Sequence, residues 1–147
     1  MLFVGTHERQ LDDKGRLALP ASFRTHLGER CYLVAGEDQC VKVVPSDEFE
    51  SMAADLKERV RAGEITRQYQ RAVAASATPV TIDKQGRVNV EEKLRAFAGL
   101  ATEAKVIVTG NFDVVEIWSP ERFELVQAAG TNDLAGLLTS GPGGVTS

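Results

Sequence analysis

The chain has 147 residues, 43% of them apolar and 26% charged, with a formal net charge of −4. That length supplies one sizeable core or two small ones, and the composition is ordinary for a soluble globular protein. The acidic balance excludes a blanket nucleic-acid coat, and no apolar run approaches the ~20 residues a membrane span needs.

The N-terminus, MLFVGTHERQLDDKG, lacks a basic region followed by a long apolar stretch. It predicts no signal peptide and a cytoplasmic home. A strand carrying Arg9 leads into LDDKGRLALP, Leu11 to Pro20. Here Asp13-Lys14-Gly15 reads as a three-residue hairpin loop with Gly15 in the left-handed position. Asp12, just before it, is placed to accept backbone N–H bonds and fix the turn. Leu17 and Leu19 alternate as in a half-buried strand, and Pro20 suits the first turn of a short helix carrying Phe23 and Leu27.

CYLV (Cys31–Val34) reads as a buried strand, GEDQ as a connecting turn and VKVVP as a further strand. Cys31 and Cys40 form no CxxC pair, and predict two reduced thiols with at least one in a core strand. Ser46 is the expected N-cap of a helix over 47–62, with Phe49, Met52, Ala53, Leu56 and Val60 at helical spacing and Gly63 ending it. A second helix is expected from about Glu64 to Ala75. The charges on these helices are mixed, as on a solvated face. The alternative is a subunit contact, since Phe49, Met52, Leu56 and Tyr69 are many apolar residues for one thin face, and Leu56 is then a residue whose charging would break it.

The next segment, IDKQGRVNVE (Ile82–Glu91), repeats the first turn. Asp12 aligns with Asp83 at an offset of 71 residues, Gly15 and Arg16 with Gly86 and Arg87, Leu17 and Leu19 with Val88 and Val90, and Phe23 with Leu94. The likeness continues with small gaps: KVIVTG follows CYLVAG, and VEIWSPERF follows VKVVPSDEF. Each copy therefore spans about forty residues in one order: strand, turn, strand, short helix, strand, loop, strand, helix. The last helix starts at Ser119 as N-cap and Pro120, and Gly130 is expected to close it. The final TNDLAGLLTSGPGGVTS reads as a loosely held tail, with LAGLL as a short helical turn.

No recognisable nucleophile motif, Walker A sequence, GxGxxG or HExxH is present, and His7 and His26 lie apart from any ligand-like cluster. The reading is no enzyme, no catalytic residue, no metal, no cofactor and no small-molecule substrate. The duplicated DxxGR turn is the distinctive feature. A single such turn is most often structural, with the arginine paired to its own aspartate. Recurrence of Arg16 as Arg87, each with a lysine in its loop (Lys14, Lys84), predicts a basic ridge if the copies pack about a pseudo-two-fold axis. Arginine can grip a phosphate or fork onto guanine O6 and N7, and lysine adds charge. The candidate DNA-binding residues are thus Arg16, Lys14, Arg87, Lys84 and Arg9; Asp12, Gly15, Asp83 and Gly86 structure the turns.

The repeated turns, the intervening helices and the length resemble the MraZ family of bacterial regulators, which carry two SpoVT-AbrB units in one chain. The resemblance runs from Leu2 to about Val126 and is strongest in LDDKGRLALP. It implies a mixed α/β fold, mainly β with short helices, in which two swapped-hairpin units form a pseudo-dimer. The units would occupy 1–45 and 76–119, with linking helices over 46–75 and a C-terminal helix and flexible tail over 120–147. It further implies a homo-oligomeric ring, associated with the nucleoid, that binds double-stranded DNA at direct repeats with short G runs and usually represses the division and cell-wall gene cluster. Carried over by position, DNA contact falls on Lys14 and Arg16, then Lys84 and Arg87. The second copy departs in having Asn89 and Glu91, the latter where the first has Pro20. A second reading is an antitoxin-like module that docks a protein partner; the short Gly-rich tail disfavours it.

Overall fold

In the computed structural model, which describes residues 2–140 with side chains through Gly136, the two copies are woven through each other. The first copy gives β1 (Thr6–Gln10), β2 (Arg16–Ala18), α1 (Ala21–Leu27), β3 (Arg30–Ala35) and β4 (Val41–Pro45). Helices α2 (Ser46–Arg61) and α3 (Arg67–Ser76) link it to β5 (Thr78–Thr81), β6 (Arg87–Asn89), α4 (Glu92–Ala98), β7 (Lys105–Asn111) and β8 (Val114–Trp118). Helix α5 (Pro120–Ser140) follows. The class is mixed α/β, as the sequence predicts, and no described helix is long and apolar enough to cross a membrane.

Six strands form an antiparallel sheet in the order β1-β7-β8-β4-β3-β5, and β2 and β6 form a separate two-stranded ribbon. First-copy β1 pairs with second-copy β7, and second-copy β5 pairs with first-copy β3. The order reads the same from either end when β1 exchanges with β5, β3 with β7 and β4 with β8. The pseudo-two-fold axis runs through Lys42–Glu116 at the centre of β4–β8 and through Leu17–Val88 at the centre of the ribbon.

This corrects the expectation of a local hairpin at each turn. The strands flanking a turn do not pair with each other; each finds its partner in the other copy. Two isolated short hairpins would be marginal in water. Exchange instead places Leu17 and Val88 side by side, at 0% and 1% exposure, over a shared core.

Side chains alternate across the large sheet. Cys31, Leu33, Val41, Val43, Val106, Val108, Val115 and Ile117 face one continuous core, closed by Phe23 and Leu27 of α1, Leu94 and Ala98 of α4, and Leu17 and Val88 of the ribbon. Each such large side chain contributes ~1.5–3 kcal/mol on burial. The opposite face carries α2, α3 and α5. There Tyr32 stacks on Phe49 at 4.1 Å, and Trp118 meets Phe123 edge-on at 5.9 Å.

Several local readings change. Ser46 is the first residue of α2 and its hydroxyl donates to the Arg30 carbonyl, so it does not cap the helix. Leu56 is buried against this second face, which removes it as an exposed contact residue. Helix α3 begins at Arg67, because Thr66 supplies a cap by accepting from the Tyr69 N–H at 3.0 Å; Glu64 and Ile65 remain in the connection. Ser119 does cap α5, accepting from Arg122 N–H at 3.2 Å. Gly130 does not end that helix, which continues through LAGLL to Ser140. A mid-helix glycine costs only ~1 kcal/mol, which the flanking helix formers offset. The GPGGVTS end of the expected tail lies outside the described residues.

Candidate nucleic-acid interface

The two turns are built alike, bond for bond. In the first, Gly15 N–H donates to the Asp12 carbonyl at 3.1 Å and Asp12 N–H to the Arg16 carbonyl at 3.0 Å. Asp12 Oδ1 accepts from the N–H groups of Lys14 and Arg16 at 2.9 and 2.8 Å, and Oδ2 from Arg16 Nε at 2.6 Å. In the second, Asp83 Oδ1 accepts from Gln85 and Arg87 N–H at 2.9 Å each, and Oδ2 from Arg87 Nε at 2.9 Å. Gly15 and Gly86 sit at φ +81° and +78°, where a Cβ is penalised.

These bonds to the ionised form shift both carboxyls. The backbone N–H of Arg16 is the main cause that lowers Asp12 to about 2 against some opposing desolvation, and the Arg16 side chain and Lys14 N–H add to it. Asp83 is lowered likewise, first by the backbone N–H of Arg87. Each aspartate is thus a fixed anion that holds its arginine through Nε alone. The two terminal amino groups of each guanidinium are left for other acceptors.

The ribbon aligns the two arginines. Arg16 lies opposite Asn89, and Arg87 lies opposite Ala18, with Leu17 opposite Val88 between them. Directly paired residues share a face of a sheet, so Arg16, Ala18, Arg87 and Asn89 form one face and Leu17 and Val88 the buried other. The arginines are diagonal neighbours across the ribbon, ~7–8 Å apart at Cα. Their side chains are 33% and 28% exposed, so neither is sealed in the protein. The turns close opposite ends of the ribbon. Lys14 therefore continues the row beyond Arg16, and Lys84 continues it beyond Arg87; both are exposed. Arg9 stands apart from this face, on β1, with its guanidinium bonded to the Glu8 carbonyl at 2.8 Å.

Sequence reasoning missed Arg24 and Arg95. They are related by the same offset of 71 residues and lie on α1 and α4. Arg95 Nε donates to the Val90 carbonyl at 2.9 Å and lies over Gly15. Arg24 lies over Gly86. Extending the alignment by one residue past Phe23 and Leu94 would have paired them.

The family model described as "MraZ protein, putative antitoxin-like" matches residues 2–71 and again 73–134. Relatives that carry the name Transcriptional regulator MraZ include one from Saccharopolyspora erythraea, 42% identical over 123 residues that cover 84% of this chain and 85% of the relative. One from Corynebacterium jeikeium is 44% identical over 120 residues, 82% of each chain. One from Thermomicrobium roseum is 39% identical over 142 residues, 94% of this chain and 99% of the relative. With both copies of the repeat matched and relatives aligned over most of their length, the chain belongs to the MraZ family.

Proposed function

We propose that this chain is a DNA-binding transcriptional regulator that reads double-stranded DNA with the outer face of the β2–β6 ribbon. The observation that carries this reading is the shared face of Arg16 and Arg87, two partly exposed arginines pinned through Nε by Asp12 and Asp83. A two-stranded ribbon fits the ~12 Å major groove. The diagonal spacing of the arginines matches about two base-pair steps of ~3.4 Å. Arg16 and Arg87 fork onto guanine edges or phosphates, and Lys14 and Lys84 meet the backbone on either side. Asp12 and Asp83 stay partly exposed, but each accepts three bonds from its own turn, one of them from its arginine, which limits its repulsion of phosphate.

The finer reading rests on the family resemblance alone. The protein assembles as a ring of copies, binds direct repeats carrying short G runs and represses the division and cell-wall gene cluster. Physics favours the ring: a chain with net charge −4 offers few phosphate contacts of its own. Linked copies on spaced repeats raise the apparent affinity through effective concentration.

A gel-shift series with Arg16→Ala across several salt concentrations tests the interface. Weaker binding with a log–log salt slope shallower by ~0.9 per lost phosphate contact is expected, or weaker binding with an unchanged slope if Arg16 reads only bases. Failure of the parent chain to bind a repeat-bearing duplex at any salt overturns the reading. Sedimentation with and without that duplex tests the ring: a monomer that binds with full affinity refutes the need for assembly.

A further inference from the structure

We propose that Arg24 and Arg95 are positioning residues, each bracing the basic turn of the opposite copy; this rests on the ribbon reading above. The second copy's Arg95 reaches across to the first copy's turn. Its Nε holds the Val90 carbonyl at 2.9 Å, while Val90 N–H donates to the Gly15 carbonyl at 2.9 Å. A Cβ built on Gly15 would come within 2.8 Å of Arg95 Nε and 3.1 Å of the Val90 oxygen. Gly15 is therefore held by a backbone bond to Val90 and covered by a guanidinium from the same strand-to-helix segment. The next residue is Arg16, the first of β2, so whatever fixes Gly15 also fixes where Arg16 leaves the turn.

The first copy returns the contact. Leu19 N–H donates to the Gly86 carbonyl at 2.9 Å, and a Cβ on Gly86 would collide with the Arg24 guanidinium. The two braces differ in one respect. Arg95 Nε is satisfied, whereas Arg24 Nε is buried with no hydrogen-bond partner among the described residues. An unpaired buried donor is costly, so the brace on the second turn is the looser one. The helices themselves do not depend on these arginines for their seating. Phe23 and Leu27 anchor α1 in the core, and Leu94 and Ala98 anchor α4.

The test uses the full chain with Arg95→Met, which keeps the unbranched stem and removes the guanidinium. In the free protein, amide hydrogen exchange at Lys14–Arg16 is expected to quicken about tenfold while that at Lys84–Arg87 stays as it was. On a repeat-bearing duplex, affinity should fall about tenfold with an unchanged salt slope, and Arg95→Lys should not restore it. Arg24→Met should mirror the exchange result at the second turn, with a smaller change. A slope shallower by about one would make Arg95 a phosphate contact itself and overturn the brace. Equal loosening of both turns, or unchanged exchange at the first, would overturn it too. If the parent chain bound no DNA, the exchange measurements would still decide the brace, while the ribbon reading alone would fall.

Discussion

Replacing Gly15 by alanine isolates the inter-copy contact, because the fold supplies its own control. Gly15 and Gly63 have nearly the same backbone angle, φ +81° and +80°. A methyl at Gly63 meets nothing within 4 Å, whereas one at Gly15 meets Arg95 Nε at 2.8 Å and the Val90 carbonyl at 3.1 Å. Left-handed backbone costs an alanine ~1–2 kcal/mol at either site. The entropy an alanine removes from the unfolded chain is common to both and cancels in the comparison. At Gly15 the methyl must also displace Arg95 from Val90 or crowd the backbone, adding ~1–2 kcal/mol. Gly63→Ala should therefore cost ~1 kcal/mol and Gly15→Ala ~2–3 kcal/mol. In thermal unfolding that is a fall of roughly 2–4 °C against roughly 4–12 °C for a chain of this size. Most of the excess should vanish when Gly15→Ala is made in an Arg95→Ala background, since the clashing group is gone. Equal losses at the two glycines, or an excess that survives removal of Arg95, would refute the claim that the second copy presses on the first copy's turn.

The remaining predictions concern charge, core and thiols. Asp12 has its carboxyl lowered from 3.8 to about 2 in the folded chain. A depressed folded value contributes stability that is whole above the ordinary carboxylate range and is lost as pH falls through the folded value. The stability difference between the parent and Asp12→Asn should thus be constant above about pH 4 and fade between about 4 and 2; a difference that is flat down to pH 2 contradicts the anchored turn. Leu17→Ala, at 0% exposure beneath the ribbon, should cost ~2–5 kcal/mol in denaturant unfolding, and its effect should not add simply to that of Val88→Ala, its paired neighbour. Burial pushes the Cys31 thiol up to about 11 and Cys40 up to about 12. A thiol reagent at pH 8 should label neither in the native chain and both after denaturation.

What could be read from the sequence was what repeats locally. The Asp–Gly–Arg skeleton, the alternating Leu17/Leu19 and Val88/Val90, and the apolar runs CYLV and KVIV carry their own turn and strand chemistry. Strand pairing does not: nothing within THERQ says that its partner is KVIVT rather than the RLA beyond the turn. That choice is made by the total area buried when both copies share one core. Helix ends were misread where two local signals competed. Ser46 resembled a cap, but Pro45 sets the entry and the serine turns to Arg30. Thr66 captured the α3 start from Glu64 by its bond to Tyr69. Gly130 looked like a stop only because single glycines so often are. Arg24 and Arg95 were present in the repeat offset, yet their meaning needed the knowledge that each turn faces the other copy's helix.

Fusing the two units in one chain has a consequence that two identical subunits cannot match. A true two-fold ribbon must present the same residues at both ends. Here the pseudo-two-fold axis at Leu17–Val88 relates Ala18 to Asn89 on the exposed face, and Asp13 to Lys84 at the turn tips. One end of the ribbon thus carries an acidic side chain beside its lysine, and the other carries a lysine beside a neutral glutamine. On the proposed DNA reading, the end near Lys84 is the more favourable for phosphate, whereas at the other end Asn89, opposite Arg16, adds an amide that can pair with a base edge where its counterpart Ala18 offers only a methyl. A ribbon of this kind does not ask for a palindrome beneath it. If the ribbon reads DNA as proposed above, it is matched to a site with direction, and copies of it in the proposed ring would be matched to sites repeated in one sense. Lys84→Asp with Asp13→Lys, which reverses the charge difference between the two tips, should reverse the preferred orientation of a single repeat relative to a cleavage probe tethered near one turn. An unchanged footprint would show that the tips do not set the polarity.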